Sequence, residues 1–438
     1  MPSKLVFSAA TLALLGGTLL RARQQPPAPP AATTEARQTE TDEYTRYELL
    51  APESASFKIY YEVTATTPGA RFFYNPIRKG SVASDEAVFD SMTGAPLQFE
   101  VVSGSEAGKD PLMSAADADT NFIKISLARP VPPEGQGRVL ILKTYKDAKS
   151  YYRDGDAIVF NRPLGIKRNK VILPAGYQLV GCNVPSQVLP EPDGRISISF
   201  LNGSAGAAPL IVRAKLGAQT GPSAAPRPAT RARSWEAPFP GESERARLSE
   251  RAHQDRDIVY FLQQPETRAF SLYHDYTESR EGADKYLNVV REGSTVSDPS
   301  AYILDTGEKL AARIMTGAEL AAAKIDAEGE SLKPDTQVVL IPFTPVKKGQ
   351  SIRLRISETY AAPVSYHLDG DELVFDRSLG RPRNAVVLPG GWYLTASSIP
   401  ATVRELPDGR IRLDFWNGRP DSVDVLLKAK RLATPAAK

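Results

Sequence analysis

The sequence is poor in the residues that carry most enzymatic chemistry. Its 438 residues include one cysteine, Cys182, and three histidines. A single thiol excludes an internal disulfide, and no Cys/His spacing typical of a zinc site occurs. The motifs HExxH, GxSxG and GxGxxG and the P-loop are also absent. Sequence signals for a zinc peptidase, a serine hydrolase or a nucleotide-binding enzyme are therefore missing, and we expect no cofactor and no metal ion.

Charge of one sign is equally scarce, since the net charge is only +3. Nucleic acids and anionic membrane surfaces are bound by a concentrated basic face, which this balance does not provide. We expect no nucleic-acid partner, and membrane contact only through the N-terminal segment if it is uncleaved. Cys182 ends a strand-like run that starts at Tyr177, where a buried apolar thiol is favoured over a nucleophile.

The N-terminus has the pattern of an export signal. Lys4 supplies a positive charge, and Leu5–Leu20 is an apolar run with small or hydroxylated interruptions. The run is short for a membrane span, so a cleaved signal peptide is favoured over an uncleaved anchor. We therefore expect an exported protein, periplasmic or extracellular.

Composition and an internal repeat divide the rest of the chain. Residues Thr144–Gly203 align with Thr359–Gly418 at a constant offset of 215, and 29 of these 60 pairs are identical. Earlier positions match at an offset of 213, as Asn75 matches Asn288. The halves are duplicates. We predict an export signal (1–23), a disordered spacer (24–43), repeat 1 (44–216), a Pro-rich and charged linker (217–256), repeat 2 (257–431) and a tail (432–438).

Each repeat has the pattern of β-structure. Ile196–Phe200 alternates strictly between apolar and polar residues, and the Asp-Gly pairs at Asp154 and Asp193 supply the positive φ angles of tight hairpins. Glu319–Ala327 is the one good helix candidate. We predict an all-β chain of two tandem homologous β-sandwich domains, with eight to eleven strands each and a short helical insertion in the second. A mobile linker would let each domain unfold separately.

The main polar constellation is the block Arg-x-Leu-Gly-x-x-Arg-Asn, which starts at Arg162 and again at Arg377. Two guanidinium groups and an amide can grip a carboxylate or a phosphate. The favoured alternative is that the arginines pair with acids such as Asp154 or Asp156 and hold the fold, because both copies keep the block. The candidate binding residues are Arg162, Arg168, Asn169, Arg377, Arg383, Asn384 and Trp416.

Aromatic residues recur at matched strand positions of the two repeats, which favours a place in the core over sugar stacking. The change of Leu201 to Trp416 is the one difference that could expose a ring to a carbohydrate. The recurring pairs are Tyr145/Tyr360, Tyr151/Tyr366, Phe160/Phe375, Tyr177/Trp392 and Phe200/Phe415.

Short motifs in the first repeat are Tyr47-Glu-Leu-Leu, Pro52, the strand at Phe57, Gly80-Ser81 and Thr93-Gly-Ala-Pro-Leu97. Together they resemble the N-terminal β-domain of gluzincin aminopeptidases of the glycyl-aminopeptidase type. The resemblance covers about 60 residues of each half, and the zinc-binding catalytic domain of that family has no counterpart in the sequence. It implies a non-catalytic β-sandwich without peptidase activity.

By elimination, the sequence favours a non-enzymatic exported protein that binds another protein or a glycan, or that has a structural role in the cell envelope. The alternative is a hydrolase of envelope polymers that uses a carboxylate pair such as Asp154 and Asp156. Two carboxyl groups facing each other across a groove, about 5–10 Å apart, would support the hydrolase. Carboxylates on an open hairpin turn would support binding or structure.

Export can be tested by cell fractionation. We expect the protein outside the cytoplasm and shortened by roughly 20–30 residues, the length of a cleaved signal. N-terminal sequencing of the exported form would locate the cleavage. Recovery of a full-length product from the cytoplasm would contradict the prediction.

Overall fold

The computed structural model describes two consecutive repeats with matching strands. The predicted signal, most of the spacer and linker, and most of the tail lie outside the described residues. The first strand begins at Glu40, within the predicted spacer, and strand structure resumes at Arg256, at the end of the predicted linker. The described residues are 37–204, 206–217, 250–253, 255–419 and 421–432.

The first repeat forms three sheets, with strand orders β12-β13-β10-β1-β2-β7-β4, β11-β14-β9-β8 and β3-β6-β5. Its strands are β1 (Glu40–Leu49), β2 (Ser56–Ala65), β3 (Phe72–Pro76), β4 (Val82–Asp90), β5 (Phe99–Ser103), β6 (Asn121–Ser126), β7 (Gly137–Lys146), β8 (Tyr151–Asp154), β9 (Ala157–Leu164), β10 (Arg168–Ile172), β11 (Tyr177–Cys182), β12 (Gln187–Pro190), β13 (Ile196–Leu201) and β14 (Ala208–Leu216).

The second repeat has three corresponding sheets, the largest with one additional strand, β19, ordered β19-β18-β22-β16-β15-β25-β28-β27, β23-β24-β29-β26 and β17-β21-β20. Its strands are β15 (Arg256–Leu262), β16 (Ala269–Glu278), β17 (Lys285–Val289), β18 (Thr295–Ile303), β19 (Lys309–Leu310), β20 (Arg313–Thr316), β21 (Gln337–Pro342), β22 (Ile352–Ala361), β23 (Tyr366–Asp369), β24 (Glu372–Leu379), β25 (Arg383–Val387), β26 (Trp392–Ser397), β27 (Thr402–Glu405), β28 (Ile411–Trp416) and β29 (Val423–Arg431).

The all-β fold of two homologous sandwiches is thus confirmed, and the number of strands exceeds eight to eleven per repeat. The excess comes from short edge strands such as β19 and β27, which lack a long alternating pattern. In the first repeat β1 pairs in parallel with β10, and in the second β15 pairs in parallel with β25. The neighbouring strand pairs are antiparallel. The Asp-Gly hairpins form as predicted, with φ of 61° at Gly155.

Alternating apolar residues of the large and four-stranded sheets build one core in each repeat. In the first, Phe57 of β2 meets Phe160 of β9 edge-on, with ring centroids 5.4 Å apart. In the second, Phe270 and Phe375 repeat this contact at 6.0 Å. The recurring aromatic residues predicted as core are all buried.

Helices are short in the described part of the chain. The predicted helix is present as α2 (Gly317–Ala322), after a four-residue helix α1 (Gly104–Ala107) that was not predicted. A capping box between Thr316 and Glu319 starts α2, and the left-handed backbone of Lys324, with φ of 56°, stops it before Ala327. Neither helix is long and apolar enough to cross a membrane.

Backbone irregularities are duplicated along with the strands. Asp85 in β4 and Asp298 in β18 both adopt left-handed φ angles, 55° and 51°, at equivalent positions. Each lies at a register shift against the neighbouring strand, β7 or β22. β-Bulges of this kind are common at sheet edges. Because both repeats have one at the same position, the duplication extends to unusual backbone geometry.

The two repeats contact each other directly. The Gln136 N–H donates to the Leu304 carbonyl at 2.8 Å, and the Ser351 N–H donates to the Met92 carbonyl at 3.0 Å. A Cβ atom at Gly94 would lie 2.8 Å from the carbonyl oxygen of Gly349. Because backbone groups of both repeats approach this closely, separate unfolding of two loosely tethered domains is not what the structure indicates.

Cys182 has a structural role that the second repeat fills with a hydroxyl. Its Sγ donates to the carbonyl of Val184 at 3.3 Å. At the equivalent position Ser397 Oγ donates to the carbonyl of Ile399 at 2.8 Å. The same side-chain-to-backbone contact therefore closes this turn in both repeats.

Cys182→Ser should leave stability within about 1 kcal/mol of the native protein, because serine makes the same contact in the second repeat. Urea unfolding of the two proteins measures the difference. A loss above about 2 kcal/mol, or loss of a bound ligand, would show that the thiol does more than close the turn.

Candidate functional site

A cavity of about 610 Å³ lies between the two repeats. This volume is in the usual range for small-ligand sites, about 300–1,000 Å³. Strands β2, β4, β7 and β10 of the first repeat form one wall; β16, β22 and the segment before β15 form the other. Its polar and charged lining residues are Tyr60, Glu62, Thr64, Asp90, Ser91, Arg138, Arg168, His253, Asp255, Arg256, Thr277, Ser279, Ser351 and Arg353.

A buried ion pair holds one side of this inter-repeat cleft. Arg138 Nε lies 2.6 Å from Asp305 Oδ1, and its Nη2 donates to Asp305 Oδ2 at 3.0 Å. Asp305 also accepts the backbone N–H of Arg353 at 2.9 Å. The arginine comes from the first repeat and the aspartate from the second, and both are buried. Two parallel charge-assisted bonds make this the most directional contact between the repeats.

A second cluster centres on Asp255. Its Oδ1 lies 3.1 Å from Arg353, 3.6 Å from Arg383 and 4.0 Å from Arg168. Thr277 donates its hydroxyl to Oδ2 at 2.6 Å. Arg168 belongs to the first repeat and the other two arginines to the second. One carboxylate therefore neutralises guanidinium groups from both sides of the cleft.

The segment that leads into β15 is attached to both repeats. Arg168 donates to the carbonyls of Ala252 and His253, at 3.4 and 3.3 Å. Tyr44 donates its hydroxyl to Glu250 at 2.8 Å. On the other side Arg251 donates to the carbonyl of Gly380 at 3.0 Å. The end of the predicted linker is thus a fixed part of the cleft wall.

Glu62 and His253 face each other in the cleft, with Oε1 and Nε2 3.9 Å apart. Glu62 raises the pKa of His253. Burial opposes ionisation of Glu62, but His253 and the Tyr60 hydroxyl, 2.6 Å away, outweigh it and lower the pKa of Glu62. The pair is therefore most favourable between the two pKa values: it weakens as acid protonates Glu62 or as His253 loses its proton at higher pH. Because the His253 side chain is 57% exposed, the contribution is small.

The structure divides the predicted Arg-Asn block among three places. Arg168 is buried and Arg383 is half-buried, both beside Asp255 in the cleft. Asn169 and Asn384 each donate their amide to a backbone carbonyl three residues earlier, at 2.7 Å, and so close equivalent turns. These four residues hold the repeats and their turns in place.

Arg162 and Arg377 instead line one smaller pocket in each repeat, with volumes of about 420 and 290 Å³. The proposed pairing of the block with Asp154 or Asp156 is wrong. Arg162 pairs with Asp147 at 3.0 Å, whereas Asp154 and Asp156 pair with cations of the adjacent strand β14. Asp154 and Asp156 lie at the hairpin turn, where the side chains of the neighbouring strands are the closest cations.

Trp416 is not an open sugar-binding ring. A Cβ atom at Gly203 would lie 3.1 Å from its Cδ1 and Nε1 atoms, so the indole packs on the other repeat. Thr402 donates its hydroxyl to the Gly203 carbonyl at 3.2 Å beside it. The replacement of Leu201 by Trp416 therefore serves the contact between the repeats.

Sequence reasoning missed the acids Asp255 and Asp305 and the arginine pair Arg138 and Arg353. The arginines do carry a signal, because they occupy equivalent positions at the offset of 215. Their acidic partners carry none, since a contact between residues 167 positions apart, such as Arg138 and Asp305, leaves no local pattern. Among the described residues no group of three or more His, Cys, Asp or Glu is placed to hold a metal ion.

Comparisons with known proteins give remote similarity only. No family model and no curated protein matches the chain. The matching solved structures include an M1 zinc metallopeptidase from Deinococcus radiodurans, with 10% identity, a TM-score of 0.28, and coverage of 41% of this chain and 42% of that chain. They also include an aminopeptidase N family protein from Idiomarina loihiensis, with 10% identity, a TM-score of 0.24, and coverage of 39% and 29%. This chain thus spans less than half the length of either structure.

Asp305→Asn should destabilise the protein by about 3–5 kcal/mol, because it leaves the charge of Arg138 buried without its partner. The double change Arg138→Met with Asp305→Leu should recover much of this loss. Urea unfolding measures all three proteins. As a control, Asp371→Asn, which removes an exposed pair with Lys430, should cost at most about 1 kcal/mol. Equal losses of stability in Asp305→Asn and Asp371→Asn would contradict the role of the buried Arg138–Asp305 pair.

Proposed function

We propose that this chain is an exported, non-enzymatic binding protein in which two duplicated β-sandwich modules act together, and that the inter-repeat cleft is its ligand site. The observation that carries the proposal is that the cleft has walls from both repeats, held by the buried Arg138–Asp305 pair. A cavity of this size between fixed domains is where ligands bind most often.

The lining of the cleft favours a glycan over a protein segment. Thr64, Ser91 and Ser279 carry hydroxyl groups, and Glu62 carries a carboxylate beside His253. A bound polyol exchanges hydrogen bonds with water for hydrogen bonds with such groups. Protein interfaces depend on pockets for large apolar anchors, whereas most of the residues that line the cleft are polar or charged.

The alternative of an envelope-polymer hydrolase finds little support in the geometry of the carboxylates named for it. The side chains of Asp154 and Asp156 are 56% and 75% exposed on the β8–β9 turn. Lys215 lies 2.8 Å from Asp156 and lowers the pKa of that carboxyl. A general acid of a glycosidase needs a raised pKa and a second carboxyl across a groove.

A glycan array followed by calorimetry with the best ligand tests the proposal. Glu62→Gln keeps the size of the side chain but removes its charge, so we expect affinity to fall about tenfold or more. The matched control Asp154→Asn removes an exposed carboxylate on the turn and should leave affinity unchanged. Loss of ligand binding in Asp154→Asn but not in Glu62→Gln would contradict the placement of the ligand in the inter-repeat cleft. Hydrolysis of the ligand would contradict the non-enzymatic role.

A further inference from the structure

Arg162 and Arg377 occupy the same place in the two repeats. Each guanidinium is surrounded by three aromatic rings, whose centroids lie 5.3–6.0 Å from its central carbon. Rings at this distance hold a cation by their π-faces but do not accept its hydrogen bonds in the way a carboxylate does. The rings are Tyr47, Phe57 and Tyr145 around Arg162, and Tyr260, Phe270 and Tyr360 around Arg377.

The two arginines differ in their anionic partner. In the first repeat Arg162 Nη1 donates to Asp147 Oδ2 at 3.0 Å, and Ser150 Oγ lies 3.4 Å away. The residue equivalent to Asp147 in the second repeat is Ala362. Both repeats therefore have the cation and its aromatic surroundings, but only the first has the carboxylate.

Arg377 consequently forms no ion pair with a carboxylate in the described part of the chain. The residue is 8% exposed, and its Nε and Nη1 atoms are buried with no hydrogen-bond partner. Burial of an ion without a partner is unfavourable. We propose that a small carboxylate ligand from solution binds at Arg377 and replaces the missing aspartate.

A pocket of about 290 Å³ adjoins Arg377 and has the charge expected of an anion site. Arg291 and Arg381 line it together with Arg377. Burial and the nearby positive charge of Arg377 both lower the pKa of Arg291. An anion bound here would relieve this repulsion between the two guanidinium groups.

The pocket also contains one acid, Glu358, which favours a monoanion over a dianion. Asn288 Nδ2 donates to both of its carboxylate oxygens, at 3.0 and 2.7 Å, and burial raises its pKa. The equivalent residue in the first repeat is Lys143. A phosphate dianion would meet stronger repulsion from Glu358 than a single carboxylate does, so the ligand class is a monocarboxylate.

Thermal unfolding and calorimetry of the full chain with benzoate test the proposal. Benzoate carries one carboxylate, benzyl alcohol is its neutral control, and inorganic phosphate tests the dianion. We expect benzoate to raise Tm by about 3–5 °C at a hundredfold excess over Kd, with little effect of the other two. No rise with benzoate, or equal binding of benzyl alcohol or phosphate, would overturn the proposal.

Two reciprocal substitutions locate the site. Ala362→Asp supplies the internal partner of Arg377 and should raise Tm without ligand while weakening benzoate binding tenfold or more. The backbone permits it, because Tyr366 N–H donates to the Ala362 carbonyl just as Tyr151 N–H donates to that of Asp147, both at 2.9 Å.

Asp147→Ala should create a second benzoate site in the first repeat, at Arg162. Glu62→Gln, which alters the inter-repeat cleft, should leave benzoate binding unchanged, so failure of the cleft proposal and failure of this one are distinguishable. Unchanged benzoate affinity in Ala362→Asp would overturn the assignment to Arg377, as would loss of benzoate binding in Glu62→Gln.

Discussion

The position of one carboxylate, Asp255, governs how the two repeats fit together. Three guanidinium groups converge on it, from Arg168 of the first repeat and from Arg353 and Arg383 of the second. Three cations this close repel one another, so the arrangement depends on the carboxylate of Asp255 between them, with Asp257 also 3.5 Å from Arg383. The cleft, the fixed end of the linker and the direct contacts between the repeats all lie around this cluster.

The two repeats have arginines at equivalent positions, but these arginines pair with different acidic residues. Arg138 and Arg353 are equivalent, yet one pairs with Asp305 and the other with Asp255. Arg162 keeps an aspartate where Arg377 faces an alanine. The arginines are therefore common to both repeats, whereas their acidic partners differ, both at the contact between the repeats and in the pockets.

The fold was predictable from the sequence because its signals are local. Alternating apolar residues, Asp-Gly turns and matched aromatic positions each act within a few residues, and the repeat doubled every one of them. The site was not predictable in the same way. Asp255 and Arg168 are far apart in sequence and meet only in the folded chain, and local spacing suggested the nearer acids Asp154 and Asp156 instead. The helix was found but placed too late, since its capping box at Thr316 outweighed the alanine-rich run that follows.

The left-handed aspartate in β4 has a consequence for how the protein behaves in a concentrated solution. Strand β4 is the last strand of its seven-stranded sheet. The segment at Ala95 and Leu97 hydrogen-bonds to its end at Asp90 and Val88, and a part of an edge strand that is not covered in this way can pair with a strand of a neighbouring molecule. The bulge at Asp85 breaks the regular row of donors and acceptors there and places a charge on it. A second molecule would meet an interrupted row of backbone groups here, which disfavours edge-to-edge pairing of sheets in a concentrated solution.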